Sequence, residues 1–444
     1  MKLGGDVSTK KAMRRTLGAG AIGNFIEVYD FSVFGLSVPI LAMHFFPGTD
    51  RMAAILSTFG VYAVAFFARP VGGLFFGMMA DRVGRIKVLT ATVWLMAGST
   101  ALIGLLPTYK TLGIIAPALL VLLRICQGIA LGGETSGSAS YVIESAPDSQ
   151  RGRWIGFIYF FSYVPNAAVA VLLLALRLFS DPAAFTDWIW RIPFVFGGVL
   201  GVVGFWFRRR LEDPKEYIEA TREAKVENLV VTATRSGSKG MLHVFLLVPL
   251  SAVGGYFIQG FMYTFLVTKV KVAPEIALLT NAAGIMAIGI TILIAGMLSD
   301  RFGRKALLNI GSLWIAISAY PSVWLVSLGT VEGAMLGQIL FAIGVGLYGG
   351  ASMTATLEVF PTAYRATGHA ISYQLAAAIM GGTTPLIATW LVAKFGTPTA
   401  PGIYTAVCGL IAFVAIQFVP ETRGIRLRQS IEGSPADPTG AVAR

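Results

Sequence analysis

The sequence predicts an all-α integral membrane protein of twelve transmembrane helices in two pseudo-symmetric six-helix bundles, with both termini cytoplasmic. Three observations predict it. The 444 residues are 55% hydrophobic and 13% charged, about half the charged share of a soluble domain, and the mean hydropathy is +0.71. The apolar residues gather in runs of roughly 20 residues or more, long enough to cross a bilayer. The charges fall in short clusters between those runs: with the N-terminus inside, 26 Lys and Arg lie on the inner side and seven on the outer, the bias that orients membrane proteins. This composition excludes an ordinary soluble enzyme and a disordered chain. A disulfide scaffold is excluded too, since Cys126 and Cys408 both fall inside apolar runs. The net charge of +12 belongs to the inner loops and calls for no nucleic-acid partner.

The elements follow in order. Lys10, Lys11, Arg14 and Arg15 lead into an apolar run too long for a signal peptide, so a first, retained helix is expected near 19–43. Helix 2, near 54–79, stops at the charged Asp81-Arg82, and helix 3, near 86–106, runs from there to Pro107. Helix 4, near 112–143, stops at Glu144, and helix 5, near 152–178, stops before Asp181-Pro182. Helix 6, near 190–209, opens on Trp188, Trp190 and Arg191, which read as an outer interfacial belt. A polar stretch over 208–240 breaks the hydropathy and reads as a central loop with one or two surface helices. The second set lies near 243–266, 276–298, 305–328, 332–358, 367–391 and 401–419. The expected organisation is a bundle over 1–209, a cytoplasmic loop over 210–240, a bundle over 241–420 and a cytoplasmic tail over 421–444.

The two sets repeat each other. Gly77-Met-Met-Ala-Asp81-Arg82-Val-Gly84-Arg85 follows the second helix of the first set, and Gly296-Met-Leu-Ser-Asp300-Arg301-Phe-Gly303-Arg304 follows the second helix of the second, 219 positions on. Glu144, Pro147 and Arg151 recur as Glu358, Pro361 and Arg365, 214 positions on. Two motifs at nearly one offset indicate a duplicated six-helix unit, an arrangement that binds its substrate at the interface of the halves near mid-membrane.

The paired loops resemble the signature of the major facilitator superfamily. Further strings narrow the resemblance: Gly23-Asn24-Phe-Ile-Glu27-Val-Tyr29-Asp30-Phe31, Ala68-Arg69-Pro70-Val-Gly72-Gly73, Arg124-Ile-Cys-Gln127-Gly128, Trp190-Arg191-Ile-Pro193-Phe194, and Ala378-Ile-Met-Gly381-Gly382-Thr-Thr-Pro385-Leu386. Together they resemble the metabolite–proton symporters, which include bacterial citrate, 2-oxoglutarate, shikimate and proline/betaine transporters, over about residues 16 to 425. Val28 departs from the pattern, which usually has an aromatic residue there. The resemblance implies a multi-pass protein of the bacterial inner membrane. It implies uptake of a small organic anion, such as a di- or tricarboxylate or an oxo acid, together with protons. The alternatives are symport of a zwitterion such as proline or betaine, and efflux of a drug or metabolite by proton antiport. The tail after Val419 shows no heptads, unlike the long coiled coil of the osmosensing betaine transporters. A monomer without cofactor or metal is expected. No Walker loop, metal-ligand cluster or nucleophile elbow is present, which argues against a pump or an enzyme.

Ionisable residues inside apolar runs carry the chemistry, since a charge in mid-bilayer costs at least about 2.5–3.5 kcal/mol unless it lines a cavity or has a partner. The first half holds Glu27, Asp30, Arg69, Arg124 and Glu134. Asn24, Glu27 and Asp30 climb one side of helix 1 at three-residue spacing. Arg124 is the candidate for a substrate carboxylate or for coupling, with Gln127 one turn below. Asp30, Glu27 and Glu134 are the proton-carrier candidates in that order, because three carboxylates against two arginines leave one without a positive partner. Arg69, beside Pro70 and a Gly pair, reads as structural. The second half offers polar side chains for substrate, among them Tyr256, Gln259, Tyr263, Tyr348, Tyr373 and Gln374. Asp81, Arg82, Arg85, Asp300, Arg301 and Arg304, with Glu144, Arg151, Glu358 and Arg365, are expected to latch one conformation and so set the rate of switching. His44, His243 and His369 fall at predicted helix ends and read as interfacial.

Overall fold

The computed structural model describes residue 25 and residues 28–83, 85–132, 137–208, 237–362, 365–425 and 427. Asn24, Glu27, Glu134, the surface helices expected in the central loop and most of the tail lie outside the described residues, as do the side chains of Asp81, Arg82 and Arg85.

Among the described residues all regular structure is helical. The long helices are α1 (Val28–Phe45), α2 (Arg51–Val83), α3 (Arg85–Leu105), α4 (Ile115–Gly132), α5 (Arg151–Leu178) and α6 (Ile192–Arg208). After the central loop come α7 (Ser238–Val270), α8 (Pro274–Phe302), α9 (Arg304–Ser327) and α10 (Val331–Glu358). Two more follow, α11 (Thr367–Phe395) and α12 (Ala400–Gln417). Eleven of these are long and apolar enough to cross a membrane, and α3 carries a shorter apolar stretch, Thr90–Leu105. Helices are what a lipid environment demands, because each satisfies its own backbone donors and acceptors. Exposed apolar side chains such as Phe67, Val71, Ile317 and Ile411 suit a lipid-facing surface.

The helix expected to start near 112 starts a few residues later. A four-residue helix, Tyr109–Leu112, ends at Gly113 (φ 58), a backbone conformation that favours glycine. The helix α4 then starts at Ile115 and is described as far as Gly132, and the chain is helical again over Gly137–Ser145; residues 133–136 lie outside the described residues. Gly303, at φ 99, makes the turn between α8 and α9, which explains the glycine of that loop motif. Two helices contain π-helical turns: α7 over Phe257–Met262 and Leu266–Val270, and α11 over Ala377–Gly381. Such widened turns interrupt the regular ladder and are frequent at functional sites.

Helices before the central loop pack as α2 on α4 and as α3 on α4 and α6; those after it pack as α9 on α10 and α12, α8 on α10, and α7 on α11. Among the described residues these groups meet mainly at two seams, α5 against α8 and α10, and α2 against α11. The α2–α4 contact is backbone to backbone. A Cβ on Gly128 would stand 2.1 Å from the Ala65 carbonyl oxygen, and one on Gly132 1.9 Å from that of Arg69. Small residues let membrane helices approach this closely.

Candidate functional site

The centre of the first group holds a buried ion pair on a polar network. Asp30 on α1 is 2% exposed and Arg124 on α4 is fully buried, with Arg124 Nη1 3.8 Å from Asp30 Oδ2. Asp30 Oδ1 accepts from the Thr100 hydroxyl on α3 and from Gln127 Nε2 at 2.8 Å. Gln127 Nε2 also reaches Thr100 Oγ1 at 2.9 Å, and Gln127 Oε1 accepts from Arg124 Nη1 at 2.9 Å. Oδ1 is thus committed, whereas Asp30 Oδ2 accepts no hydrogen bond.

Arg124 is held by aromatic rings. Its guanidinium carbon stands 4.2 Å from the Phe34 ring centroid, 4.6 Å from Phe31 and 5.4 Å from Tyr62, a cation–π arrangement that favours arginine over lysine. Arg69 on α2 stacks beside it, 4.2 Å from Phe66 and 4.5 Å from Phe31. The two guanidinium groups therefore share the Phe31 ring, so Arg69 belongs to the same assembly. With Nη1 occupied, Arg124 Nε and Nη2 have no hydrogen-bond partner. Those two atoms form the edge of the guanidinium that grips a carboxylate with two parallel bonds.

A second polar chain crosses from α1 to α7. Ser32 donates to Asn166 Oδ1 on α5, and Asn166 Nδ2 donates to Gln259 Oε1 at 2.9 Å. Gln259 sits in the first π-helical stretch of α7. Tyr256, one turn earlier, meets Phe66 edge to face at 4.8 Å, which brings it beside the arginine–aromatic assembly. Thr100, Asn166 and Ser32 were not singled out from the sequence. Each was legible as a polar residue inside an apolar run, but Ser and Thr commonly bond their own helix backbone, as Thr100 also does to Met96.

Other candidates go elsewhere. The Tyr348 hydroxyl donates to the Leu247 carbonyl at 2.8 Å and ties α10 to α7. Tyr263 stands on the wall of a separate cavity, described below. Tyr373 stacks on His369 at 5.3 Å, and Gln374 is buried on the same helix. His369 is not interfacial: it is 5% exposed, with Nε2 3.3 Å from Thr356 Oγ1. Trp190 is not part of a belt either, being fully buried and stacked on His44 at 5.3 Å, whereas Trp188 is 61% exposed. Its burial follows from Arg191, which turns inward to donate to the Gly104 and Leu106 carbonyls.

At the end carrying the repeated loops, six of the predicted gating residues, Asp300, Arg304, Glu358, Arg151, Glu144 and Arg365, are paired among themselves. The Asp300 carboxylate on α8 accepts from the backbone N–H groups of Gly152 and Arg153 on α5, both at 2.8 Å. Arg304 grips Glu358 with two bonds, at 3.1 and 3.2 Å, and donates to Asp300 at 2.7 Å. Arg151 pairs with Asp148, lies 3.8 Å from Glu358 and donates to the Ile425 carbonyl at 2.8 Å. Arg365 bonds Glu144 at 2.6 Å and the Leu427 carbonyl at 3.1 Å. Arg301 stays outside, exposed over Phe302. At the opposite end, Arg177 on α5 pairs with Glu275 on α8 at 2.8 Å.

An all-helical membrane protein with a duplicated loop motif, charges buried at its centre and polar seals across its seams is a solute transporter by class. The chain belongs to the Major Facilitator Superfamily, whose family model matches residues 20–371 and again 245–441. Its relatives place it among the superfamily's metabolite–proton symporters. It is 32% identical over 432 residues to the ectoine/proline transporter ProP of Corynebacterium glutamicum, covering 94% of this chain and 86% of that protein. It is 32% identical over 394 residues to the citrate–proton symporter of Klebsiella pneumoniae, covering 88% of each. With the proline/betaine transporter of Escherichia coli it shares 31% over 421 residues, 91% of this chain and 83% of that one. Among solved structures, a D-xylose–proton symporter superposes with a TM-score of 0.74 at 21% identity, over 93% of this chain and 99% of the other, which shows the shared fold.

Proposed function

We propose that this protein is a proton-coupled symporter that takes up a small organic anion, a di- or tricarboxylate or an oxo acid, by alternating access across the bacterial plasma membrane. The observation that carries this reading is the unpartnered Nε–Nη2 edge of the fully buried Arg124. A buried donor without an acceptor is expensive, and a substrate carboxylate supplies two acceptors in the matching geometry. The citrate–proton symporter among the relatives supports the same class of solute.

Twelve spans, two six-helix bundles over 1–209 and 241–420, cytoplasmic termini and a monomeric state complete the proposal, the orientation resting on the Lys and Arg asymmetry. The end carrying Asp300 and Arg304 is then cytoplasmic. Asp30 Oδ2, which accepts no hydrogen bond, takes the proton from outside. Neutralising Asp30 weakens its hold on Arg124, 3.8 Å away, and frees that cation for the incoming carboxylate. Release inside restores the Asp30–Arg124 attraction as the proton leaves. Glu27 and Glu134 remain the next proton-carrier candidates.

A second reading, symport of a zwitterion, is favoured by the ectoine, proline and betaine transporters among the relatives and by the rings of Phe31, Phe34, Tyr62 and Phe66, whose faces attract cations. Uptake into vesicles of labelled citrate, 2-oxoglutarate, succinate, shikimate and betaine separates the two. Uptake should rise with an inward proton gradient and collapse with a protonophore. Asp30→Asn imitates the protonated state and should keep substrate counterflow while losing accumulation driven by the gradient. Retained uphill accumulation by that variant would clear Asp30 and move the role to Glu27.

A further inference from the structure

Ser37 stands seven residues beyond Asp30 on α1, on the same helical face and roughly 10 Å nearer the outer end. Between them lies Phe34, the ring closest to Arg124. Ser37 is 2% exposed and its Oγ makes no hydrogen bond, which is unusual for a serine in a helix, whose hydroxyl can return to its own backbone. It borders a cavity of about 160 Å³ between α1, α5, α7 and α8, where Leu173, Tyr263 and Leu278 also lie. The charged side chains on its wall are Arg51 and Arg177. Arg177 is paired through Nε with Glu275 at 2.8 Å, the contact that closes the α5–α8 seam at this end.

The cavity is mainly apolar with a positive rim. An apolar protein cavity of about 150 Å³ holds a benzene-sized molecule, so this one takes a small solute with a short carbon body. Its polar groups sort by need: Ser37 offers a donor without an acceptor, and Arg177 a guanidinium whose present partner is a carboxylate. Both recognise a carboxylate on an otherwise apolar solute.

We propose that this cavity is an outer waiting site for the transported carboxylate, bound by Arg177 and Ser37 before it passes Phe34 to reach Arg124; the identity of the solute rests on the carboxylate reading above. An arriving carboxylate competes with Glu275 for Arg177. Occupancy therefore loosens the ion pair that shuts the outer seam, and the solute opens its own way in.

The test uses Ser37→Cys in the full-length protein with Cys126 and Cys408 replaced by serine, labelled from outside with the anionic sulfonatoethyl and the cationic trimethylammonium-ethyl methanethiosulfonates. The anionic reagent should react about tenfold faster than its cationic counterpart, and Arg177→Gln should remove that preference. Succinate should slow the labelling, and should still do so when Arg124→Gln has disabled the deeper site. The proposal is overturned if reagent charge makes no difference, if Arg177→Gln leaves the preference intact, or if succinate protects only while Arg124 is present. Ile40→Cys, on the same wall, repeats the measurement should Ser37→Cys fail to reach the membrane. Succinate uptake by the parent protein judges the transport reading separately, since binding in the outer cavity is read without transport.

Discussion

Asp300 caps a helix that belongs to the other half of the molecule. Two backbone N–H groups in the first turn of α5, those of Gly152 and Arg153, donate to its two carboxylate oxygens at 2.8 Å. The residue in the capping position of α5, Gln150, makes no side-chain cap. Asp300→Asn keeps the shape, removes the charge and leaves one N–H facing an amide. Losing a charge-assisted bond costs about 1.5–3 kcal/mol, and the helix-terminus interaction adds about 0.3–1 kcal/mol. Arg304 stays anchored by Glu358, so the net effect on the closed state should fall near 2 kcal/mol, about a thirtyfold shift between populations closed and open at this end. Spin labels at the exposed Gln150 and Phe302 would read it as a second, longer distance in double electron–electron resonance, restored to one by Asp300→Glu if the charge is what matters. An unchanged distance distribution in a correctly inserted Asn variant would refute the latch.

Two further outcomes follow. Arg124→Lys keeps the charge but loses the paired carboxylate grip and the stacking on Phe31 and Phe34; the solute concentration for half-maximal counterflow should rise tenfold to a hundredfold, for a loss of about 1.5–3 kcal/mol, with the protein still in the membrane. Glu421 accepts from the N–H groups of Arg304, Lys305 and Arg423. Burial pushes its carboxyl up, but those donors and the Arg304 charge outweigh burial and hold it below the usual range. A lowered carboxylate stabilises the fold above its unfolded value, about 4.3, and the gain is lost as pH falls through the folded value. Glu421→Gln should therefore melt below the parent at pH 7 and at pH 5.5, and the difference should shrink as pH falls below the unfolded value and vanish once it is below the folded one.

Helix order, the duplication and the repeated loops were legible because each is written in local periodicity or in spacing along the chain. Asp300, Arg304 and Glu358 were legible for the same reason, as charged residues in a repeated string. The arrangement around Arg124 was less so. That Arg69 shares the Phe31 ring with it, or that Thr100 and Asn166 complete the polar chains, depends on how α1 to α5 rotate against one another, and aromatic and hydroxyl residues occur on every face of such helices. Where Tyr348 points was not legible for a related reason: a tyrosine in an apolar run must find some acceptor, and the Leu247 carbonyl supplies one. The later start of the fourth helix, at Ile115, follows from Gly113, whose positive φ leaves no hydropathy signal.

At the Asp300 end of the α5–α8 seam, Gly152 and Gly296 meet so closely that a Cβ on either would stand 2.3 Å from the other's carbonyl oxygen. Backbone against backbone is a hard stop, as side chains can change rotamer and main chain cannot. At the opposite end the same two helices meet through the long side chains of Arg177 and Glu275, which can stretch, re-aim or part. One end of the lever therefore has an abutment and the other a spring. Closure at the glycine end is reached at a single helix separation, whereas closure at the ion-pair end tolerates a range of them. Motion about this seam is therefore stopped sharply at one end and yields gradually at the other.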